Sequence, residues 1–304
     1  MEKKILTFII LVCFLAPCLF SNPNGGINLE FIGGAGNLSF DQKDTSPLSE
    51  AEETFDPQYY PLILARISGG SNGIGFNAGF ERGPSIRNRL FANILVDLTY
   101  LNFEIGPFFG LLNSRKLPVN PGISVGMGFM IPGIIFTQVK GASTLAFINM
   151  DKPDNYSQYS GDAAVGFWVP HVICSMNINY LNFSYRERIN LLIEDDLVKY
   201  FFRADVFTKN VPYTIKMDLG LQMLSRSYVS LEVEGTDIVK HTKTDVFKSA
   251  YIGLEGIYTI NPDFKFLLGA QLPVYSWSTR PMKDPPKDKF LFEAKAGVII
   301  TLPF

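Results

Sequence analysis

The chain has 304 residues, 47% of them hydrophobic and only 18% charged, with a formal net charge of −2. That balance supplies no basic field for nucleic acid, and two histidines, His171 and His241, are too few for most metal or acid–base sites. Aromatic residues make up 13% of the chain, and phenylalanine alone occurs 26 times.

The first segment reads as an export signal. Lys3 and Lys4 precede an almost uninterrupted apolar run from Ile5 to Phe20, shorter than the roughly 20 residues a membrane-spanning helix needs. Cleavage is expected after Ser21, which makes 1–21 a signal peptide and 22–304 the mature domain. Lipoprotein processing at Cys18 is the alternative, although Pro17 directly before the cysteine fits it poorly. After cleavage at Ser21, Cys174 stands alone and forms no intramolecular disulfide. No later stretch offers about 18 apolar residues without a charge or turn.

Beyond the leader the dominant period is two. Gly33, Gly34 and Gly36, like Gly69, Gly70, Gly73 and Gly75, are followed by no helical pattern, so they read as strand and turn glycines rather than a phosphate loop. Ile74 to Phe80, Leu90 to Leu98 and Phe103 to Leu111 alternate apolar with polar or small residues. The run Gly128 to Ile135 recurs 38 residues later as Gly166 to Ile173, which predicts two hairpins pointing the same way. The tetrapeptide Tyr-Leu-Asn-Phe at 100–103 and 180–183 fits either a turn or mid-strand, and leaves 179–196 open. Val198, Tyr200, Phe202, Ala204 and Val206 alternate with Lys199, Phe201, Arg203, Asp205 and Phe207. Tyr213 to Met223 is cleaner still, with Lys216, Asp218, Gly220 and Gln222 on its second face. Ala250 to Tyr258, Phe264 to Val274 and Phe290 to the terminal Phe304 complete the series.

Short turns are expected at Ser71-Asn72-Gly73, Ser225-Arg226-Ser227 and Asn261-Pro262-Asp263. Longer polar loops are expected over 41–58, 149–160, 238–245 and 279–288, the last excluded from a strand by Pro281, Pro285 and Pro286. So many charged positions on one face are too costly for a small soluble core. Turning the sheet inside out gives the apolar face to lipid and the charges to a watery lumen. The expected fold is therefore all-β, a transmembrane antiparallel β-barrel of about 14 strands (12–16), with both termini periplasmic and the protein in the cell outer membrane.

A hairpin centred near Asn210-Val211 sets Asp205 opposite Lys216, Arg203 opposite Asp218 and Lys199 opposite Gln222, all facing inward. The expected lumen-lining residues are Arg89, Asp97, Glu104, Lys199, Arg203, Asp205, Lys216, Asp218, Glu232, Glu234, Glu255, Lys265, Glu293 and Lys295. Acids slightly outnumber bases among them, so ion selectivity should be weak and slightly cationic. No catalytic, cofactor or metal residue stands out.

Val211-Pro212-Tyr213-Thr214-Ile215, Leu219-Gly220-Leu221, Ser230-Leu231-Glu232-Val233-Glu234, Ile252-Gly253-Leu254-Glu255 and Leu267-Leu268-Gly269-Ala270 resemble the C-terminal part of long-chain fatty-acid transporters and related PorV-type barrels. Glu293 to Phe304 resembles the assembly signal of outer-membrane proteins. The resemblance implies a porin-like transport barrel that meets the assembly machinery through its last strand and sits among membrane lipids and lipopolysaccharide. No N-terminal hatch fits between Asn22 and Gly26, and no site residue is carried over.

Three functions are open at this stage. The first is a passive pore or transporter for small solutes or hydrophobic compounds. The second is a plugged structural or adhesive barrel acting through the acidic loop with Glu50, Glu52, Glu53 and Asp56. The third is a lipid-modifying enzyme built on His171, or on His241 with Asp245 and Ser249.

Overall fold

The computed structural model describes residues 26–37, 59–71, 73–83, 88–111, 120–145, 156–188, 191–207, 211–234, 237–278 and 291–303. The expected leader and the expected loops 41–58 and 279–288 lie outside these residues. Fourteen strands follow one another: β1 (Gly26–Gly36), β2 (Tyr60–Ser71), β3 (Ile74–Arg82), β4 (Asn88–Asp97), β5 (Leu101–Gly110), β6 (Asn120–Ile131) and β7 (Ile135–Thr144). The second half comprises β8 (Tyr156–Val169), β9 (Val172–Arg188), β10 (Leu191–Phe207), β11 (Tyr213–Glu234), β12 (Asp237–Asn261), β13 (Phe264–Ser278) and β14 (Glu293–Pro303). Each pairs antiparallel with its neighbours, and β1 pairs with β14 from Gly26↔Pro303 to Gly36↔Glu293, closing the barrel. Closure leaves no sheet edge along the wall, the condition for crossing a medium that offers no hydrogen bonds.

The start of β1, the end of β14 and six short connections lie at one end of the barrel. Two of these turns are the repeated segments, and they do point the same way. The 38-residue offset maps Gly133 onto His171, and both adopt the left-handed conformation, with φ of 76° and 70°. In each, proline precedes the left-handed residue, an arrangement common in tight turns with positive φ at the third position. In the first, Ile134 N donates to Ile131 O at 3.0 Å. Opposite the short-turn end, β5 carries Pro107, which has no N–H. The β4–β5 ladder skips there from Phe91↔Phe108 to Ile94↔Ile105.

Three expected connections are strand instead. Ser225, Arg226 and Ser227 sit in the middle of β11, and 238–245 belongs to β12, where His241 stands opposite Ser230. Residues 156–160 open β8 rather than closing a loop. The open segment 179–196 is the β9–β10 hairpin, with Tyr180 to Phe183 mid-strand, whereas Tyr100 and Leu101 mark the turn into β5.

The reason these polar stretches resemble loops is a reversal of polarity along β9 to β12. In the lower part of these strands the outward side chains are apolar: Met176, Ile178, Phe202, Leu219, Leu221, Ile252 and Leu254 are all exposed, Leu219 to 62%. The outward row Tyr180–Val198–Met223–Lys248–Trp277 ends that band. Above it the outward rows are Asn182–Asp196–Ser225–Val246 and Ser184–Glu194–Ser227–Thr244, polar at every position but Val246. These side chains bond one another: Tyr180 Oη donates to Asp196 Oδ1 at 2.8 Å, Asn182 Nδ2 to the same oxygen at 2.9 Å, and Ser227 and Thr244 hydroxyls meet at 3.0 Å. The inward side changes in the opposite sense, from Lys199, Arg203 and Lys216 below to Leu181, Leu197, Leu224 and Phe247 above.

A strand that is apolar outside and polar inside, then polar outside and apolar inside, has crossed from hydrocarbon into water. The apolar segments have the matching length. Tyr213 to Met223 and Lys248 to Tyr258 are eleven residues each, and Val172 to Tyr180 is nine. A tilted spanning strand needs about 9–11. Strands β3, β4, β5 and β7, at 9 or 10 residues, only just span the membrane, whereas β11 and β12, at 22 and 25, project well beyond it. Tyr180, Lys248 and Trp277 at the boundary are the amphipathic types expected at a membrane interface.

The boundary is testable by refolding into lipid vesicles and measuring urea unfolding. Leu219→Lys, in mid-band, is expected to cost about 2–4 kcal/mol. Ser227→Lys, only eight positions along the same outward face, is expected to cost no more than its hydrogen bond to Thr244, about 1 kcal/mol.

Candidate functional site

The inner face of the barrel is where the charged side chains meet. In the β10–β11 hairpin, Asp205↔Lys216, Arg203↔Asp218 and Lys199↔Gln222 stand in register. Arg203 holds Asp218 with two parallel bonds, Nε to Oδ1 at 2.7 Å and Nη2 to Oδ2 at 2.8 Å. The fork geometry of the guanidinium makes this the strong form of such a pair. Lys216 turns away from Asp205 to Glu255 Oε1 on β12, at 2.9 Å. One Asp205 oxygen is left buried with no hydrogen-bond partner among the described residues.

Glu255 also receives Lys295 of β14, at 2.5 Å, over the top of the intervening strand. The register row is Glu255–Gly269–Lys295. A Cβ on Gly269 would come within 3.0 Å of Lys295 Cε and 3.5 Å of Glu255 Cβ, so the missing side chain is what lets the two charges meet. The same device appears on the opposite wall as Glu104–Gly126–Lys140 across β5, β6 and β7. Glu104 pairs there with Lys140, over a glycine whose Cβ would lie 3.1 Å from Lys140 Cγ. Asn93 and Asn77 Nδ2 donate to Glu104 Oε1 at 2.7 and 3.2 Å, and Ser124 Oγ donates to Asn93 Oδ1 at 2.7 Å.

Of the remaining expected residues, Arg89 pairs with Glu81 at 3.0 Å and lies 5.8 Å from the Phe108 ring centre. Asp97 and Lys265 stand at the short-turn end, opposite Asn102 and opposite Thr259 and Ile299. Glu232 and Glu234 stand opposite Val239 and Asp237 in the projecting part of β11, and their side chains are outside the described set. Lys199 reaches furthest. Its Nζ donates to Gln271 Oε1 on β13 at 3.2 Å, lies 3.8 Å from Glu293 Oε2 on β14, and sits over the Tyr251 ring. Gln271 in turn donates to Gln222, and Gln222 to Ser249.

Sequence reasoning omits the Glu30–Arg66 pair of β1 and β2, and also Glu81, Lys140 and Asp162. For Lys140 the signal was present, since Ile135, Thr137 and Val139 alternate with Phe136, Gln138 and Lys140. It also expects a lumen charged throughout, and the upper part is not. There Leu224, Phe247 and Leu291 form a buried cluster with Leu197 packed against it, and Ile193 packs on Tyr228. Arg226 and Asp195, 1% and 4% exposed, lie within this layer, joined at 2.6 and 2.8 Å. The two histidines are not brought together: His171 is in a turn at the short-turn end and His241 in the projecting part of β12. Among the described residues no group of three or more His, Cys, Asp or Glu is placed to hold a metal ion.

Between the walls lies a cavity of about 310 Å³. On one side it is bounded by Ile32, Leu62 and Leu64 of β1 and β2, and on the other by Leu181 and Leu197 of β9 and β10. Lys199, Glu293 and Lys295 complete its polar wall, with Glu81 and Arg82 toward the end of β3.

Two substitutions probe this interior by equilibrium unfolding. Arg226→Met strands Asp195 in an apolar layer and is expected to cost about 3–5 kcal/mol, most of it recovered when Asp195→Leu is added. Gly269→Leu, which drives Lys295 off Glu255, is expected to cost about 1–3 kcal/mol. Gly256→Leu, at an outward position with no atom within 4 Å of its Cβ, should leave stability nearly unchanged.

No family model matches the chain, and no curated protein matches it. Solved structures similar in fold include a bacterial polysaccharide outer membrane secretin, with 9% identity, 93% of this chain and 99% of that one covered, and a TM-score of 0.47. An outer membrane channel from Pseudomonas putida F1 has 6% identity, covers 93% and 97%, and scores 0.42. OmpT, an outer membrane protein of Vibrio cholerae, has 7% identity, covers 93% and 99%, and scores 0.39. The likeness is one of barrel architecture, and nothing about function follows from it.

Proposed function

We propose that this chain is a passive channel of the bacterial outer membrane that admits small solutes through its lumen. The observation that carries the reading is the cavity between the walls, bounded by the polar side chains Lys199, Glu293 and Lys295 within a closed wall whose outer band is apolar. In this reading the fourteen inward charges expected from the sequence line or guard the path. They are joined by Glu30, Arg66, Glu81, Lys140 and Asp162. Their near balance of sign favours weak ion selectivity, slightly cationic. Membrane lipids and an outer leaflet such as lipopolysaccharide would face the apolar band, and the C-terminal strand β14 would present the chain to barrel-assembly machinery.

A second reading rests on a different observation, the projection of β9 to β12 beyond the apolar band with its polar outer face. That surface suits a structural or adhesive role, which a plugged lumen would favour.

Planar-bilayer recording of the refolded full chain separates the two. Discrete ion-conducting steps are expected, and the double variant Lys199→Ala/Glu293→Ala, which clears two long side chains from the polar wall of the cavity, should raise the step size about twofold. A silent bilayer with correctly folded protein overturns the channel reading and leaves the surface role.

A further inference from the structure

The charge pairs of the lumen are not equivalent. Arg203–Asp218, Lys216–Glu255, Lys295–Glu255 and Arg89–Glu81 close at 2.5 to 3.0 Å. Lys199 and Glu293 stand 3.8 Å apart, and the nearest hydroxyl to Glu293, that of Tyr60, is 3.5 Å away. This loose pair joins strands that are four apart around the barrel, and both of its members border the cavity. Lys295 borders it too, but is held by Glu255, and Glu81 is held by Arg89. Of the inward charges bordering the cavity, Lys199, hydrogen-bonded to the neutral Gln271 at 3.2 Å and seated over Tyr251, and Glu293 are the cation and anion without a close ionic partner among the described residues, and they face aliphatic side chains from both walls.

From this we infer that the cavity binds aliphatic zwitterions in transit: free α-amino acids with branched apolar side chains, of which leucine is the type. The inference rests on the channel reading and adds the solute class. A carboxylate set against Lys199 and an ammonium set against Glu293 replace one long contact with two charge-assisted hydrogen bonds. The total charge of the row does not change, so no charge is left uncompensated, as it would be by a simple anion or cation. The side chain of the solute meets Leu62 and Leu64 on one wall and Leu181 and Leu197 on the other, where a sugar would set hydroxyl groups against carbon without partners.

The test uses the full chain in liposomes, comparing swelling in isotonic leucine with swelling in isotonic arabinose, alongside bilayer conductance. Wild-type protein should admit leucine about threefold or more faster than arabinose. Lys199→Gln should cut the leucine rate while improving relative entry of leucinamide, which lacks the carboxylate. Glu293→Gln should do the same for N-acetylleucine, which lacks the ammonium. Equal wild-type rates for leucine and arabinose in a protein that conducts ions overturn the solute class and leave the channel standing. So does a Lys199→Gln or Glu293→Gln protein, shown folded, that keeps the wild-type preference. Neither swelling nor conductance overturns both.

Discussion

Everything in this molecule depends on the fact that hydrocarbon accepts and donates no hydrogen bonds. A backbone N–H or C=O facing lipid without a partner costs several kcal/mol, so a sheet within the membrane has to close on itself. The eleven register pairs between β1 and β14 meet that demand. Closure also fixes an inside and an outside, and the period of two then sends alternate side chains to lipid or to the lumen. The exposed Phe31, Ile94, Val125, Phe202 and Leu254 and the inward Glu30, Glu104, Arg203 and Glu255 are two consequences of one constraint.

The lumen answers a second demand. Charges inside a narrow barrel have limited water, so they are held by other charges and by amides. Because most inner-face neighbours along a strand are two residues apart, a pair reaching across one strand needs room above that strand's backbone. Gly126 and Gly269 supply the room, and each sits in register between a glutamate and a lysine. The glycines thus act by the absence of a side chain on the inner face, and their backbones lie in ordinary strand. Lys199 is held by the amide of Gln271 and only at 3.8 Å by a carboxylate, that of Glu293, and it borders the cavity.

Above the membrane the same strands obey the opposite rule. Once water replaces lipid outside, the two outward rows next above the band carry Asn, Asp, Glu, Ser and Thr with Val246, and the inward side takes on Leu181, Leu197, Leu224, Phe247 and Ile193 around the Arg226–Asp195 pair, much as in a soluble sheet with one buried face. Ser225-Arg226-Ser227 reads as a turn only if one polarity is assumed to run the whole strand. In fact Arg226 is buried because it lies on the inward face above the reversal, where Asp195 neutralises it.

By itself the sequence determined the alternation, the closed all-β class with a strand number near 14, and the register of the β10–β11 hairpin. These are local: a period of two and a short turn fix which residues stand opposite, as Arg203 and Asp218 do. The alternation also marked most inward charges, though it could not say whom they meet. Tertiary structure decided what depends on strands distant in sequence. It chose Glu255 over Asp205 for Lys216, carried Lys295 across Gly269, and brought Leu62 and Leu64 to face Leu181 and Leu197 over a shared cavity. It also set the height at which polarity reverses, because that height is where the wall as a whole leaves the membrane, and no single strand records the thickness of the medium around it.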